Sequence, residues 1–240
     1  MKAAERVMLT PAYVLHQHDW RETSRVVEIL SRDHGRLGVV ARGARRAKSP
    51  WRALLRPFQP LLVSWMGGGE LMTLFGAEPS AASHPLSGRA LLSGFYMNEL
   101  LLRLLPRQDP HPALFNQYAD VLGRLMQDTS PALRLFEKHL LTALGYGLNL
   151  ERDAINGQLV QADAVYRYEP ERGPVRVVDN TGSGVHVSGS TLLALAKEKL
   201  EQAEALREAR RLLRAVLDQL LGERPLKTRK VMRAFRKLVE

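Results

Sequence analysis

The sequence predicts an α+β protein, with an all-β first part and a mostly helical second part. Up to about Ala82, short runs rich in β-branched and aromatic residues are separated by glycine turns. Beyond Ser83, apolar residues recur at helical spacing. A third observation bears on function: the formal net charge is +10 over 240 residues, and it is spread unevenly.

In the first part, Ala12-Tyr13-Val14-Leu15 is a short β-prone run, and Arg25 to Leu30 reads as a half-buried strand. His34-Gly35-Arg36 is a tight turn into a strand over Leu37 to Ala41. Pro60 to Trp65 is a further strand, and Gly67-Gly68-Gly69 turns the chain into Leu71 to Phe75. Short strands at this density suggest a small closed barrel. An OB-type barrel is the expected form, although an SH3-like barrel would give the same pattern. Trp65 and Phe75 are expected in its core.

In the second part, Leu91, Leu92, Phe95, Leu100, Leu101 and Leu104 mark a helix from Leu86 to Leu105, ended by Pro106. A second helix runs from Pro112 to Asp128. A third has Ser130 as N-cap, Pro131 in its first turn, and Gly145 past its end. The pattern is lost from Glu151 to Ser188, where Tyr166 to Tyr168 and Val175 to Val178 form a candidate hairpin. Helices resume at Thr191 to Ala196 and from about Glu198 to Leu221, before a last basic helix. The expected domains are residues 1–82, an OB-fold DNA-binding domain, and residues 83–240, a helical domain with an irregular or β insertion near 151–188.

Composition excludes several classes. Apolar residues make up 45%, enough for a real core. There is no cysteine, so disulfides, thiolate metal sites and cysteine nucleophiles are ruled out. No apolar run reaches the ~18 residues of a membrane span, and the N-terminus is too polar for a signal peptide. A cytoplasmic location without membrane attachment is expected.

The charge points to a polyanionic partner, nucleic acid first. Between His34 and Gly69 there is no Asp or Glu, yet the stretch holds Arg36, Arg42, Arg45, Arg46, Lys48, Arg52 and Arg56. A flexible basic loop over Arg42 to Pro50 can follow a phosphate backbone, and arginine suits bidentate phosphate contacts. A charge run kept for solubility usually mixes both signs. Trp51 after the loop either stacks on an unpaired base or caps the barrel core, and Trp20 is undecided. A second basic zone includes Arg210, Arg211, Arg214, Lys227, Arg229 and Lys230. Glu204, Glu208 and Asp218 lie among its arginines, so an auxiliary DNA contact and a plain charged surface are equal readings.

No catalytic constellation stands out. Gly67-Gly68-Gly69 lacks the Gly-Lys-Ser/Thr of a phosphate-binding loop. His16 and His18 have no third ligand nearby in sequence. The carboxylates are not clustered for a two-metal nuclease. No enzyme activity, cofactor or metal is expected.

Particular strings then carry a resemblance: Ala12-Tyr13-Val14-Leu15-His16, Glu22-Thr23-Ser24, His34-Gly35-Arg36-Leu37 and Val40-Ala41-Arg42-Gly43-Ala44-Arg45. Leu55 to Leu61, Pro85-Leu86-Ser87-Gly88, Tyr96 to Leu100, Leu144-Gly145-Tyr146 and Pro225-Leu226-Lys227 continue it. In this order they resemble the bacterial recombination mediator family RecO, in its proteobacterial form. The resemblance implies an N-terminal OB-fold, a helical C-terminal domain, and a place in the cytoplasm at the nucleoid. It implies binding of single- and double-stranded DNA and annealing of complementary strands. It also implies loading of RecA onto DNA coated by single-stranded DNA-binding protein, with RecR as partner. Some family members carry a four-cysteine zinc site, which this chain cannot form. The family docks the acidic C-terminal tail of the coat protein on the helical domain. Arg134, then Arg124, are the candidates here, against the reading of ordinary helix-surface arginines. Two other classes remain as alternatives: an RNA-binding OB-fold protein of translation or RNA processing, and a nuclease.

Overall fold

The computed structural model describes residues 5–83, 85–177 and 184–239. In chain order the first elements are β1 (Glu5–Trp20), β2 (Ser24–Ser31), β3 (Gly35–Ala41), α1 (Trp51–Leu54), β4 (Leu61–Gly67), β5 (Leu71–Pro79), α2 (Gly88–Leu104) and α3 (Pro112–Arg124). Then come α4 (Thr129–Ala143), β6 (Val165–Glu169), β7 (Gly173–Val177), β8 (Val185–Ser188), α5 (Gly189–Ala196), α6 (Ala203–Leu221) and α7 (Lys227–Val239). The chain divides into two compact units, Met1–Gly123 with Leu226–Glu240, and Arg124–Pro225.

In the first unit the strands close a barrel in the order β1-β2-β3-β5-β4. β3 and β5 pair in parallel, and the other pairs are antiparallel. This is the OB-type arrangement expected from the sequence. β1 pairs with both β2 and β4 because it is long and bends. Its register shifts between Val7 and Thr10 and again between Val14 and His16. Leu9, at φ 48, stands in the first irregularity, and its N–H donates to Ser64 Oγ at 3.0 Å.

Alternation along each strand sends Val27, Ile29, Leu37, Val39, Val63, Trp65, Met72 and Leu74 into the barrel. Phe75 is the correction. It follows Leu74, so the period of two turns it outward, where the Arg6 guanidinium lies 5.0 Å from its ring centroid. β2 is not half-buried either. Val26 to Ser31 are all buried, because the outer face of the barrel is covered as well.

On β1, outward-facing Tyr13 meets Phe115 and Tyr118 of α3, with ring centroids 5.4 and 5.1 Å away. Asn98 of α2 donates from Nδ2 to Leu15 O at 2.9 Å, and the Tyr118 hydroxyl donates to Asn98 Oδ1 at 2.7 Å. These bonds satisfy polar groups that burial would otherwise leave unpaired. The buried residues of α2 are Ala90, Ser93, Gly94, Tyr96, Met97, Asn98, Leu100 and Leu101, whereas Phe95 is 39% exposed against expectation. Gly94 is there because the Phe58 ring would stand 2.8 Å from a Cβ. Gly35, at φ +69, is needed twice over, since a Cβ there would lie 2.2 Å from Asp109 O.

The second unit packs α6 against α4, α5 and β8. Its buried stripe is Ala205, Ala209, Leu212, Leu213, Val216 and Leu217. β6 and β7 are the expected hairpin as far as Val177, and Val178 lies outside the described residues. β8 pairs on the other side of β6, giving the order β7-β6-β8. Asp153 organises the irregular stretch before the sheet. Its Oδ1 accepts from the N–H of Ile155 and Asn156, at 2.8 and 3.1 Å, and its Oδ2 from Arg176 N–H at 2.8 Å.

Two helix starts differ from expectation. α4 begins at Thr129, whose hydroxyl donates to Leu125 O, so Asp128 and not Ser130 holds the cap position. α6 begins at Ala203, because Glu198 takes a positive φ of 59 and accepts from Lys138 Nζ at 2.8 Å.

Candidate nucleic-acid interface

β1 ends at Trp20, which pairs with Ser24 across a three-residue turn, Arg21 to Thr23. Arg21 takes a positive φ of 51 in that turn. The basic loop leaves β3 after Ala41 and runs beside it. Arg45 joins the two: its N–H donates to Thr23 O at 2.9 Å, and Nη1 donates to Arg21 O at 3.1 Å. Arg45 Nε lies 3.3 Å from Asp19. On the other side, Trp51 Nε1 donates to Arg42 O at 3.2 Å, and Ala44 is buried. The loop expected to be a flexible arm is therefore anchored at both flanks.

The anchoring shapes a groove of 580 Å³. Trp20, Arg21, Thr23 and Ser24 line it from the β1–β2 turn, and Val40, Arg42, Gly43 and Arg46 from β3 and the loop. Leu71 and Thr73 of β5 complete it, and none of these residues is acidic. OB barrels hold oligonucleotides on the face of strands 2 and 3 and with the β1–β2 and β4–β5 loops, which is where this groove lies.

The site residues expected from sequence fall into groups. Arg42, Arg46, Lys48, Arg52 and Arg56 are exposed and make no ion pair among the described residues. Of these, only Arg42 and Arg46 line the groove. Arg45 is exposed too, but it serves as the latch. Trp51 is half-buried and packs against the barrel core, so the core-capping alternative describes its position.

Arg36 is a correction. Its Nη1 lies 3.1 Å from Glu28 Oε2, its Nε donates to Leu105 O at 3.1 Å, and its side chain is only 14% exposed. Burying the carboxylate of Glu28 requires paired cations, and Arg36 and Arg107 supply them. Arg36 is thereby withdrawn from solvent.

On α6, Arg211 pairs with Glu208 at 3.6 Å and Arg214 with Asp218 at 3.3 Å, while Arg210 is exposed. On α4, the Arg134 side chain is 9% exposed and bonded to Glu137 at 2.7 Å, which corrects the helix-surface reading. Arg124 is exposed and lies 3.6 Å from Asp128.

α7 docks on α2. The Glu99 carboxylate accepts from Lys227 N–H and Thr228 N–H, both at 2.8 Å, and from the Thr228 hydroxyl at 2.5 Å. Arg229 sits 5.7 Å from the Tyr96 ring centroid, while Lys227 and Lys230 face solvent. Burial pushes the Glu99 carboxyl up, but the bonds from Thr228 and Lys227 and the charge of Arg103 outweigh it and hold it below the usual range. Such a carboxylate stabilises the fold above its unfolded value, and the stabilisation is lost as pH falls through the lower folded value. Glu99→Gln should cost about 1 kcal/mol at pH 7, as loss of a helix cap does. In thermal melts the difference from the parent should shrink below pH 4.5, the ordinary value for this group. A difference that is constant with pH would refute the assignment.

Among the described residues no group of three His, Cys, Asp or Glu is placed to hold a metal, and no helix is long and apolar enough to cross a membrane.

The closed barrel with its parallel β3–β5 pair, followed by a helical region, defines a protein of the OB-barrel class with a basic groove on the barrel. The chain belongs to the recombination protein O family. Residues 6–82 match the family model "Recombination protein O N terminal", and residues 85–230 match "Recombination protein O C terminal". The DNA repair protein RecO of Alkalilimnicola ehrlichii is 52% identical over 96% of this chain and 93% of its own. Those of Nitrosococcus oceani and Aromatoleum aromaticum are 47% and 46% identical, over 97% and 99% of this chain and 96% and 100% of theirs. The family places the chain in DNA repair and recombination.

Proposed function

We propose that this protein binds single- and double-stranded DNA through the barrel groove and anneals complementary strands, without a covalent step. With RecR it then helps to load RecA onto DNA coated by single-stranded DNA-binding protein, in the cytoplasm at the nucleoid. One observation carries the DNA-binding reading: exposed arginines without acidic partners among the described residues line a groove on the oligonucleotide face of an OB barrel. Annealing needs no catalytic residue. It needs cations that screen the repulsion between two strands while base edges stay free to pair.

Function divides near residue 82 in this reading. The barrel before it holds DNA, and the helical region from residue 83 docks the acidic tail of the coat protein. For that tail Arg124 is the exposed cation, whereas Arg134 is available only if Glu137 gives way. In the second basic zone Lys227 and Lys230 are exposed and make no ion pair among the described residues; Arg210, Arg211, Arg214 and Arg229 are auxiliary.

The test is annealing of two complementary labelled oligonucleotides, bare and coated, across a salt series. Fast annealing of coated strands that weakens with salt, and is lost when the coat protein lacks its acidic tail, is expected. Binding without annealing would overturn the mediator reading. Preference for a matched RNA strand in competition would turn the site to RNA, and cleavage of DNA with Mg²⁺ would reveal a nuclease.

A further inference from the structure

We propose that Trp20 is a base-stacking platform, so that the groove takes an unpaired strand with its bases turned inward and holds a duplex by its phosphates alone. The inference rests on the reading above that the groove binds DNA.

Trp20 is 38% exposed and Leu71 is 40% exposed, and both line the same groove. Two large apolar side chains facing water in one concave site mark a place where something apolar is held. The flat faces of bases are such a surface, and the phosphates attached to them need cations. Arg21, Arg42 and Arg46 supply these from the same lining. In a duplex the base faces are already stacked on one another, which leaves only phosphates for the site to hold.

The backbone at Trp20 is also held in position. It is the last residue of β1, paired with Ser24, and the turn that follows it is bonded to Arg45 from behind. An aromatic on a fixed backbone, with only two side-chain torsions, loses little conformational freedom when a base stacks on it. The protein's other tryptophans are used differently. Trp65 is 1% exposed in the barrel core, and Trp51 packs against that core with its indole N–H bonded to Arg42 O.

The protein and its Trp20→Ala and Trp20→Phe variants should be titrated with three labelled DNAs of equal length. These are a deoxythymidine oligonucleotide, a strand of abasic sites and a duplex. Trp20→Ala should weaken binding of the thymidine strand about tenfold and leave the abasic strand and duplex unchanged. Trp20→Phe should restore most of the loss, which separates stacking from misfolding. An equal loss on the abasic strand, or no loss on the thymidine strand, overturns the stacking role. Failure of the parent protein to bind any of the three would instead overturn the DNA reading of the groove, and with it this inference.

Discussion

Replacing Arg42, Arg46 and Lys48 together by alanine should weaken single-strand binding by about a hundredfold near 0.1 M salt and lower the salt slope by about 2. The reasoning is counter-ion release. Each neutralised phosphate of a single strand adds roughly 0.7 to the slope of log affinity against log salt. The loss of three contacts therefore removes about 2 from the slope, which near 0.1 M amounts to two powers of ten. The fold should not notice. All three side chains are exposed and without ion pairs among the described residues, so stability should stay within about 0.5 kcal/mol. Arg45 is left out of the triple because it bonds the turn beside Trp20 and pairs with Asp19. Its alanine variant should disturb the groove's shape as well as its charge. An unchanged salt slope in the triple variant would remove the loop from the interface.

Glu28→Ala should be the most destabilising single change in the barrel, by about 3–5 kcal/mol. Its side chain is 9% exposed on the outer face of β2, between Arg36 and Arg107. Taking away the carboxylate leaves one guanidinium, that of Arg36, buried without its counter-charge; Arg107 is better able to turn toward water because it is 37% exposed. Removing one partner of a buried pair costs far more than the pair itself contributes. For a chain of this size the barrel should melt roughly 10 °C lower. Arg36→Ala should follow in severity and Arg107→Ala should be mildest. None of the three should alter the salt slope of DNA binding. A Glu28→Ala protein that lost less than 1 kcal/mol in urea denaturation would show that this ion-pair cluster is not a support of the barrel.

Much of the fold was legible because its signals are local. Each β-prone run in the first part falls on one barrel strand, as alternation and glycine turns predict, with Pro60 just outside the start of β4. Phe75 departs from the expected core position because hydrophobicity alone does not say which way a strand residue faces. Its neighbour Leu74 fills the barrel, and that decides the matter. The buried face of α2 departs from its apolar spacing for a related reason. Gly94 and Asn98 are buried by Phe58, Leu15 and Tyr118, partners that no spacing rule reveals.

The candidate site shows the same division. The absence of acidic residues between His34 and Gly69 is a property of the chain alone, and it located the basic loop. Trp20 is far from that loop in sequence, and only the bond from Arg45 to Arg21 O brings its turn beside the loop. Arg36 belonged to the same basic stretch, yet Glu28 holds it inside.

By itself, then, the sequence determined the order of strands and helices, the surplus of positive charge and the stretch where that charge goes unopposed. Periodicity and composition are written in neighbours a few residues apart. Only the tertiary structure decided the closing of β1 on β4, the return of α7 to the barrel's unit, and which arginines are left free for an anion. A cation's availability depends on burial and on its nearest carboxylate, and both are set by residues distant in the chain and brought close by folding.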